Sequence, residues 1–408
     1  MRIGTALAAL CLVAVPAFVK AQAPAADRAA HLQILVLTVG PGDQVWERFG
    51  HDAIWIRDTV LKTDAIYNYG MFDFADPGFI RRFALGIPRY SIGVDSSIDN
   101  TLAIYRYEHR NVDVQELNLT PAQRIDLATR LEINIRPENR YYIYNYFLDN
   151  CSTRVRDMLD VVLGGALRHA TVGKPAAGTL RFHTLRSMAS DKLLYLGIDL
   201  ALGPPVDEPL DQWGEMFLPA KVHDRIGELQ VPAVDGGTEP LVSRQRQLLT
   251  ANVYTVLPAP PEWGGTFLAI GTVLALLIGA GVRRDGLGTF GRAVAVVWLL
   301  VAGVAGVILL LFWFATRHVA TAGNHNLLFL DPLALLLIPA FWSRGAPAAI
   351  RRYAGIAVAT AALLVVGVLL ALVPAVGVQR NLDAAELLVL PMVAAVAVGA
   401  LRPSRKCC

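Results

Sequence analysis

The chain has 408 residues, enough for two or three domains, and 54% of them are hydrophobic while only 17% are charged. A soluble domain carries roughly 25% charged residues, so apolar segments must be concentrated somewhere. The net charge of +3, with no basic run interleaved with aromatics, leaves no case for a nucleic-acid partner.

In chain order, Arg2, the apolar stretch from Ile3 to Val19 and the small-x-small tripeptide Ala21-Gln22-Ala23 read as a secretory signal over residues 1–23. Leu10 stands before Cys11, which argues against lipoprotein processing there. Residues 30–255 contain no long apolar run and predict one exported α+β domain. Strands are expected at 32–38, 53–56, 65–69 and 112–119, the last from its polar–apolar alternation. Thr120-Pro121-Ala122-Gln123 combines a Thr cap, Pro at the first helical position and Gln three residues on, and predicts a helix to about Ile135. Residues 141–147 are aromatic-rich and read as a strand. A helix from Cys151 to the Gly164-Gly165 stop follows, then a helical, Pro-broken stretch over 178–230.

Residues 262–402 alternate apolar stretches with short polar joints, which predicts an all-α bundle with spans at 264–282, 293–315, 327–343, 353–375 and 384–401. Each is close to the ~20 residues that cross a hydrocarbon core; the third contains Asp331-Pro332. Loop charge sets the orientation. With the preceding domain outside, Arg283, Arg284, Arg292, Arg344, Arg351, Arg352, Arg402, Arg405 and Lys406 fall on the cytoplasmic side, against Arg317 and Arg380 outside. That bias obeys the positive-inside rule and agrees with the signal peptide. The polar joint 318–331, with Asn324, His325 and Asn326, sits at the outer interface, either as a hydrated turn or as a contact for a phospholipid headgroup or substrate.

Cys11 would leave with the signal, and Cys407 and Cys408 fall in the cytoplasm, so Cys151 is alone in the exported domain. A solitary thiol in an oxidising compartment is exposed to wrong pairing and warrants a functional reading. Asn150-Cys151-Ser152-Thr153 lies at a strand-to-helix junction, where unpaired N–H groups and the helix dipole favour a thiolate and can hold an oxyanion. A nucleophilic cysteine needs a base. Of His31, His51, His109, His169, His183 and His223, only His51 heads a strand after a glycine. An orienting group for the imidazole is expected too. Asn68 is favoured because it alternates with Tyr67 and Tyr69, and Asp64 and Asp73 flank the same strand. No convincing metal-ligand cluster appears, and no cofactor is called for.

Three segments carry a family resemblance: Phe49-Gly50-His51-Asp52-Ala53, the run Tyr67-Asn68-Tyr69-Gly70-Met71-Phe72-Asp73-Phe74, and Tyr144 through Asp157 around Asn150-Cys151-Ser152-Thr153. Together with Asn324-His325-Asn326 in the membrane part, they resemble the Lnb family, whose members join a periplasmic domain to a five-helix membrane domain. The order of histidine before cysteine also looks like the circularly permuted, papain-like (NlpC-like) group that includes lecithin:retinol acyltransferase.

The resemblance implies lipoprotein N-acylation in the bacterial inner membrane, with the catalytic domain in the periplasm and the C-terminus in the cytoplasm. The acyl donor would be a phospholipid, the acceptor the α-amino group of a diacylglyceryl-cysteine lipoprotein. Cys151 would be the nucleophile and His51 the general base, with Asn68 in the third place. Asn150, Ser152, Tyr144, Asn324, His325 and Asn326 are the expected substrate contacts. Rival readings are a membrane-anchored papain-like hydrolase (phospholipase, or peptidoglycan amidase or endopeptidase) and a non-catalytic envelope scaffold. A bundle of five spans is more than an anchor needs, which favours a lipid substrate.

Overall fold

A computed structural model describes residues 25–233, 236–251, 253–283, 285–341, 347–372 and 379–400; the expected signal segment lies outside them. The exported part is built on one antiparallel seven-stranded sheet. Its strands are β1 (Leu32–Val39), β2 (His51–Asp58), β3 (Thr63–Met71), β4 (Arg89–Asp95), β5 (Val112–Leu117), β6 (Tyr141–Ile143) and β7 (Val242–Leu249). The spatial order is β7-β5-β1-β2-β3-β4-β6, so the two strands that carry the histidine and asparagine candidates are central neighbours.

Period-two alternation gives the sheet two cores. Ile34, Val36, Ile54, Ile56, Tyr67 and Tyr69 point to a face covered by helices α3 (Pro121–Asn134), α4 (Cys151–Val162) and α7 (Pro219–Glu228). Leu35, Leu37, Ala53, Trp55 and Ile66 point to the other face, where Leu102 and Tyr105 of α2 (Ile98–Tyr107) pack. Burying both faces explains why β1 is apolar without a break from Ile34 to Leu37.

The sequence signals mark most helix starts. Thr120 and Gln123 form a reciprocal capping box, and Asn150 and Thr153 form a second one ahead of α4. The aromatic strand expected over 141–147 stops at Ile143, because the Asn145 side chain accepts from the N–H groups of Phe147 and Leu148 and turns the chain.

The C-terminal part holds four helices long and apolar enough to cross a membrane among the described residues. They lie in α8 (Gly264–Gly279), α9 (Gly286–Phe314), α10 (Pro347–Ala371) and α11 (Leu382–Ala400). The expected span at 327–343 is not one continuous helix over its described part, 327–341. It is broken into short helical pieces, His325–Leu328, Ala334–Leu337 and Ile338–Phe341. Pro332 offers no N–H, and the Asp331 carboxylate accepts from the N–H of Leu333 and the hydroxyl of Thr360 instead of leaving a continuous helix. The broken segment is nonetheless packed inside the bundle: Gly306 and Gly303 of α9 press against Leu330 and Leu335, and Phe341 reaches Gly399 of α11.

Two helices of the Pro-broken stretch, α5 (Leu180–Met188) and α6 (Lys192–Ala201), tie the parts together. Asn324 donates to the carbonyls of Leu200 and Ala201 at 2.8 and 2.9 Å, and Asn326 donates to Leu200 at 3.0 Å. Gln379 takes the Leu202 carbonyl at 2.9 Å. The C-terminal carbonyls of α6, which no helical turn satisfies, are thus satisfied by the membrane domain.

Candidate active site

His51 opens β2 and Asn68 lies near the end of β3. The pairing of Ala53 with Asn68 sets the local register. His51 Nε2 and Asn68 Oδ1 are 3.0 Å apart. The Asn68 amide is oriented by its own donations, to Asp95 Oδ2 at 3.0 Å and to the Ile66 carbonyl at 3.3 Å. Its oxygen therefore faces the imidazole, Nε2 carries the hydrogen, and Nδ1 is left as the acceptor. Asp95, which the sequence did not single out, completes a line of His51, Asn68 and Asp95 along one face of the sheet. Asp64 belongs elsewhere, accepting from Trp55 Nε1 at 2.8 Å. Asp73 caps a turn through the N–H of Ala75.

Cys151 is the first residue of α4 and packs against β2 and β3. Gly70 allows the approach: it has φ +85°, and a Cβ placed on it would stand 3.6 Å from Cys151 Cβ and 3.5 Å from the Tyr144 ring. Extending the β2–β3 register by two residues sets Gly70 opposite His51. Cys151 thus packs beside Gly70, the residue that faces His51 across the β2–β3 ladder. The sulfur lies within hydrogen-bonding reach of the backbone N–H groups of Asp52, Ser152 and Cys151 itself.

Burial corrects one expectation. The helix N-terminus and these N–H groups do pull the thiol pKa down, yet Cys151 is only 8% exposed and burial pushes it above its ordinary value. The resting group is a thiol rather than a preformed thiolate. The His51 imidazole is pushed the other way: burial lowers its pKa, against the raising effect of the Asn68 contact. It is neutral at pH 7 and able to accept a proton.

Asp52 is the buried group that sequence reasoning missed. It alternates with His51, faces the Cys151 side of the sheet, and is fully buried. Thr38 donates to its Oδ1 at 2.9 Å, and the buried Ser152 hydroxyl lies beside it and the sulfur, lowering both pKa values against the larger effect of burial. Burial first, and the neighbouring Cys151 second, raise its pKa to about 7. The available signal was the charge itself, an acid between His51 and an apolar run.

The other expected contacts divide. Tyr144 stacks on Tyr90 with ring centroids 4.2 Å apart and flanks Gly70 beside Cys151. Asn150 is consumed as a cap: its oxygen accepts from Thr153 N–H, and its amide donates to the carbonyls of Tyr146 and Phe217. Asn324 and Asn326 are buried in the seam described above. The His325 N–H donates to Gln379 Oε1 at 2.6 Å. None of these three is brought to Cys151 by a contact among the described residues. A second seam contact was not foreseen. His318 Nε2 donates to the Phe83 carbonyl at 3.0 Å, and its Nδ1 accepts from Tyr146 at 2.9 Å. Two links, Asn150 to Tyr146 and Tyr146 to His318, join the cap of the cysteine helix to the outer end of α9.

Sheet, cysteine helix and apolar bundle define a polytopic membrane protein whose periplasmic α/β domain is docked on its own membrane helices. Family models match both parts: an Lnb N-terminal periplasmic domain over residues 20–190 and an Lnb transmembrane domain over residues 265–397. No curated protein and no solved structure matched. The chain belongs to the Lnb family and is a lipoprotein N-acyltransferase of the inner membrane.

Proposed function

We propose that Cys151 carries an acyl chain from a membrane phospholipid to the α-amino group of a diacylglyceryl-cysteine lipoprotein. His51 is the base that Asn68 orients. The supporting observation is that Cys151 opens its helix against Gly70, which faces His51 across the ladder and follows Asn68 of the His51–Asn68–Asp95 line by two residues. His51 Nδ1 takes the thiol proton as sulfur attacks the ester carbonyl, and the first-turn N–H groups of α4 hold the oxyanion. The carbon–oxygen bond to glycerol breaks, His51 protonates the leaving alkoxide, and a lysophospholipid departs. The lipoprotein amine then attacks the thioester, gives its proton to His51, and the thiol is regenerated as the amide leaves. The raised thiol pKa fits this scheme, since proton transfer accompanies attack instead of preceding it.

The permuted papain-like arrangement is the fold reading that suits this order of residues. The division into a domain over 30–255 and a membrane domain over 262–402 suits the seam at 200–207 and 320–326, because both substrates are lipids held in the outer leaflet. Tethering raises effective concentration and limits orientation. We read the broken segment 327–341 as a fifth crossing, which leaves the C-terminus in the cytoplasm. The test uses cells lacking their own lipoprotein N-acyltransferase. Expression should convert diacyl lipoproteins to triacyl forms, read by mass spectrometry of N-terminal peptides, and the isolated protein should carry a thioester mass. Conversion by Cys151→Ser would overturn the mechanism.

A further inference from the structure

We infer that residues 71–90 form an aromatic ramp that takes the acyl chain of an outer-leaflet phospholipid from the bilayer surface to Cys151; this rests on the acyl-transfer reading above. Four rings run in sequence through the domain. Phe83 stacks on Phe79 with centroids 6.2 Å apart, Phe79 on Tyr90 at 6.2 Å, and Tyr90 on Tyr144 at 4.2 Å. Tyr144 flanks Gly70 together with Cys151, so the upper end of the ramp is the candidate active site.

Its lower end is fixed at the membrane. Phe83 contacts the His318 ring, with centroids 6.4 Å apart, and accepts a hydrogen bond from it. The Arg317 N–H donates to the Leu85 carbonyl at 2.9 Å, and Gly86 lies against the Arg317 backbone. Arg317 follows α9 by three residues, so the segment touches the outer end of a membrane-spanning helix. The short helix Phe79–Ala84 buries Phe79 against the other rings yet leaves Ile80 68% exposed, and Phe74 is 55% exposed. An apolar face of this kind, continuous with the membrane domain, costs free energy in water and is satisfied by hydrocarbon.

Charge fits the same occupant. Arg81 and Arg317 are exposed beside the ramp and make no ion pair among the described residues, placing two cations at the depth of a lipid phosphate. The nearer competitor for the chain is the groove between α10 and α11, lined by Ala361, Leu364, Val368, Val389, Val393 and Val396. It lies within the bundle's apolar surface and offers no polar headgroup contact.

The test uses the full chain as Cys151→Ser, which binds but cannot turn over, in nanodiscs containing phosphatidylglycerol with a diazirine at the acyl terminus. After irradiation, adducts on residues 72–90 or Tyr144 support the ramp. Their absence there, whatever is labelled between α10 and α11, overturns it. Ile80→Asp and Phe74→Ser in the active chain supply a second reading. Thioester formation from vesicle phospholipid should fall by roughly tenfold more than that from monomeric dibutyryl-phosphatidylcholine, which needs no extraction from a bilayer. Equal losses with both donors, or no loss, would overturn the ramp. Should the unsubstituted chain form no thioester with either donor, the chemistry fails while crosslinking still decides the ramp.

Discussion

Two polar corners of this molecule look alike in sequence and differ in structure. Asn150-Cys151-Ser152 and Asn324-His325-Asn326 are both short asparagine-bearing motifs between apolar elements. In the second, the asparagines hold backbone carbonyls and one another: Asn324 donates to Leu200 and Ala201 and accepts from Asn326 N–H, while Asn326 donates to Leu200 and accepts from Asn381. In the first, Asn150 is the cap, but two buried titratable groups, Asp52 and Cys151, lie beside each other with both pKa values pushed up by burial. A buried polar cluster whose amides bind distant backbone carbonyls is a clamp. One that buries an acid against a nucleophile has given up stability for chemistry.

The comparison is tested most severely at His51. If the first corner is chemical, His51→Ala should lower the rate of thioester formation by roughly a hundredfold to ten-thousandfold while leaving membrane insertion and thermal stability near those of the unsubstituted chain. Burst-phase mass spectrometry measures the first and a thermal scan in detergent the second. A stability loss in proportion to the rate loss would make this corner another clamp.

Asp52 gives the next effect. Its folded pKa of about 7 lies above the unfolded value near 3.8. The folded state therefore binds more protons between those values, and stability falls as pH rises through that window. Three units of difference are worth roughly 4 kcal/mol at most. Asp52→Asn keeps the acceptor for Thr38 but cannot ionise, so it should match the unsubstituted chain at pH 4 and exceed it in melting temperature at pH 8. His51, with its lowered pKa, adds stability as pH rises toward its unfolded value near 6.5 in both proteins, and losing the Asp52 charge lowers that pKa further, so the Asp52 effect is read above pH 6.5.

The clamp should respond in the opposite way. Asn326→Leu would strand the Asn381 amide in a buried seam and leave the Leu200 carbonyl with Asn324 alone, at roughly 1–3 kcal/mol for the stranded amide. Thermal stability should drop at all pH values, with the pH profile of the remaining activity unmoved. A shifted profile would move Asn326 from the clamp to the site.

These contrasts mark what sequence can carry. The helix starts at Thr120 and Asn150, the central strands, and the contact between His51 and Asn68 are written in local chemistry: a cap and an alternation. The third membrane segment is apolar enough for a span, but hydropathy does not register the missing N–H of Pro332 that breaks it into short helices. Asp95, His318 and the role of Asn324 depend on contacts across long stretches of chain, and no local pattern encodes which carbonyl a distant amide will meet. The edge strand β7 was invisible for a related reason: it is polar on both faces and is held by pairing with β5.

Asn68 sits between the two kinds of corner, and the smallest prediction concerns it. It is a hydrogen-bonded asparagine, like those of the clamp, but one of its bonds goes to the proposed base. The Asn68 contact raises the His51 pKa. Removing it with Asn68→Ala should let burial act unopposed and move the acid limb of the rate profile to lower pH, not higher. The rate at pH 8 should fall by roughly tenfold, the worth of one hydrogen bond to a group that becomes charged in the reaction. Asn68→Asp keeps an oxygen for Nε2 and adds negative charge, so it should raise the His51 pKa and shift the same limb upward. Opposite shifts in the two variants would tie Asn68 to the imidazole; equal rate losses with an unmoved limb would leave it only a strut between β3 and β4.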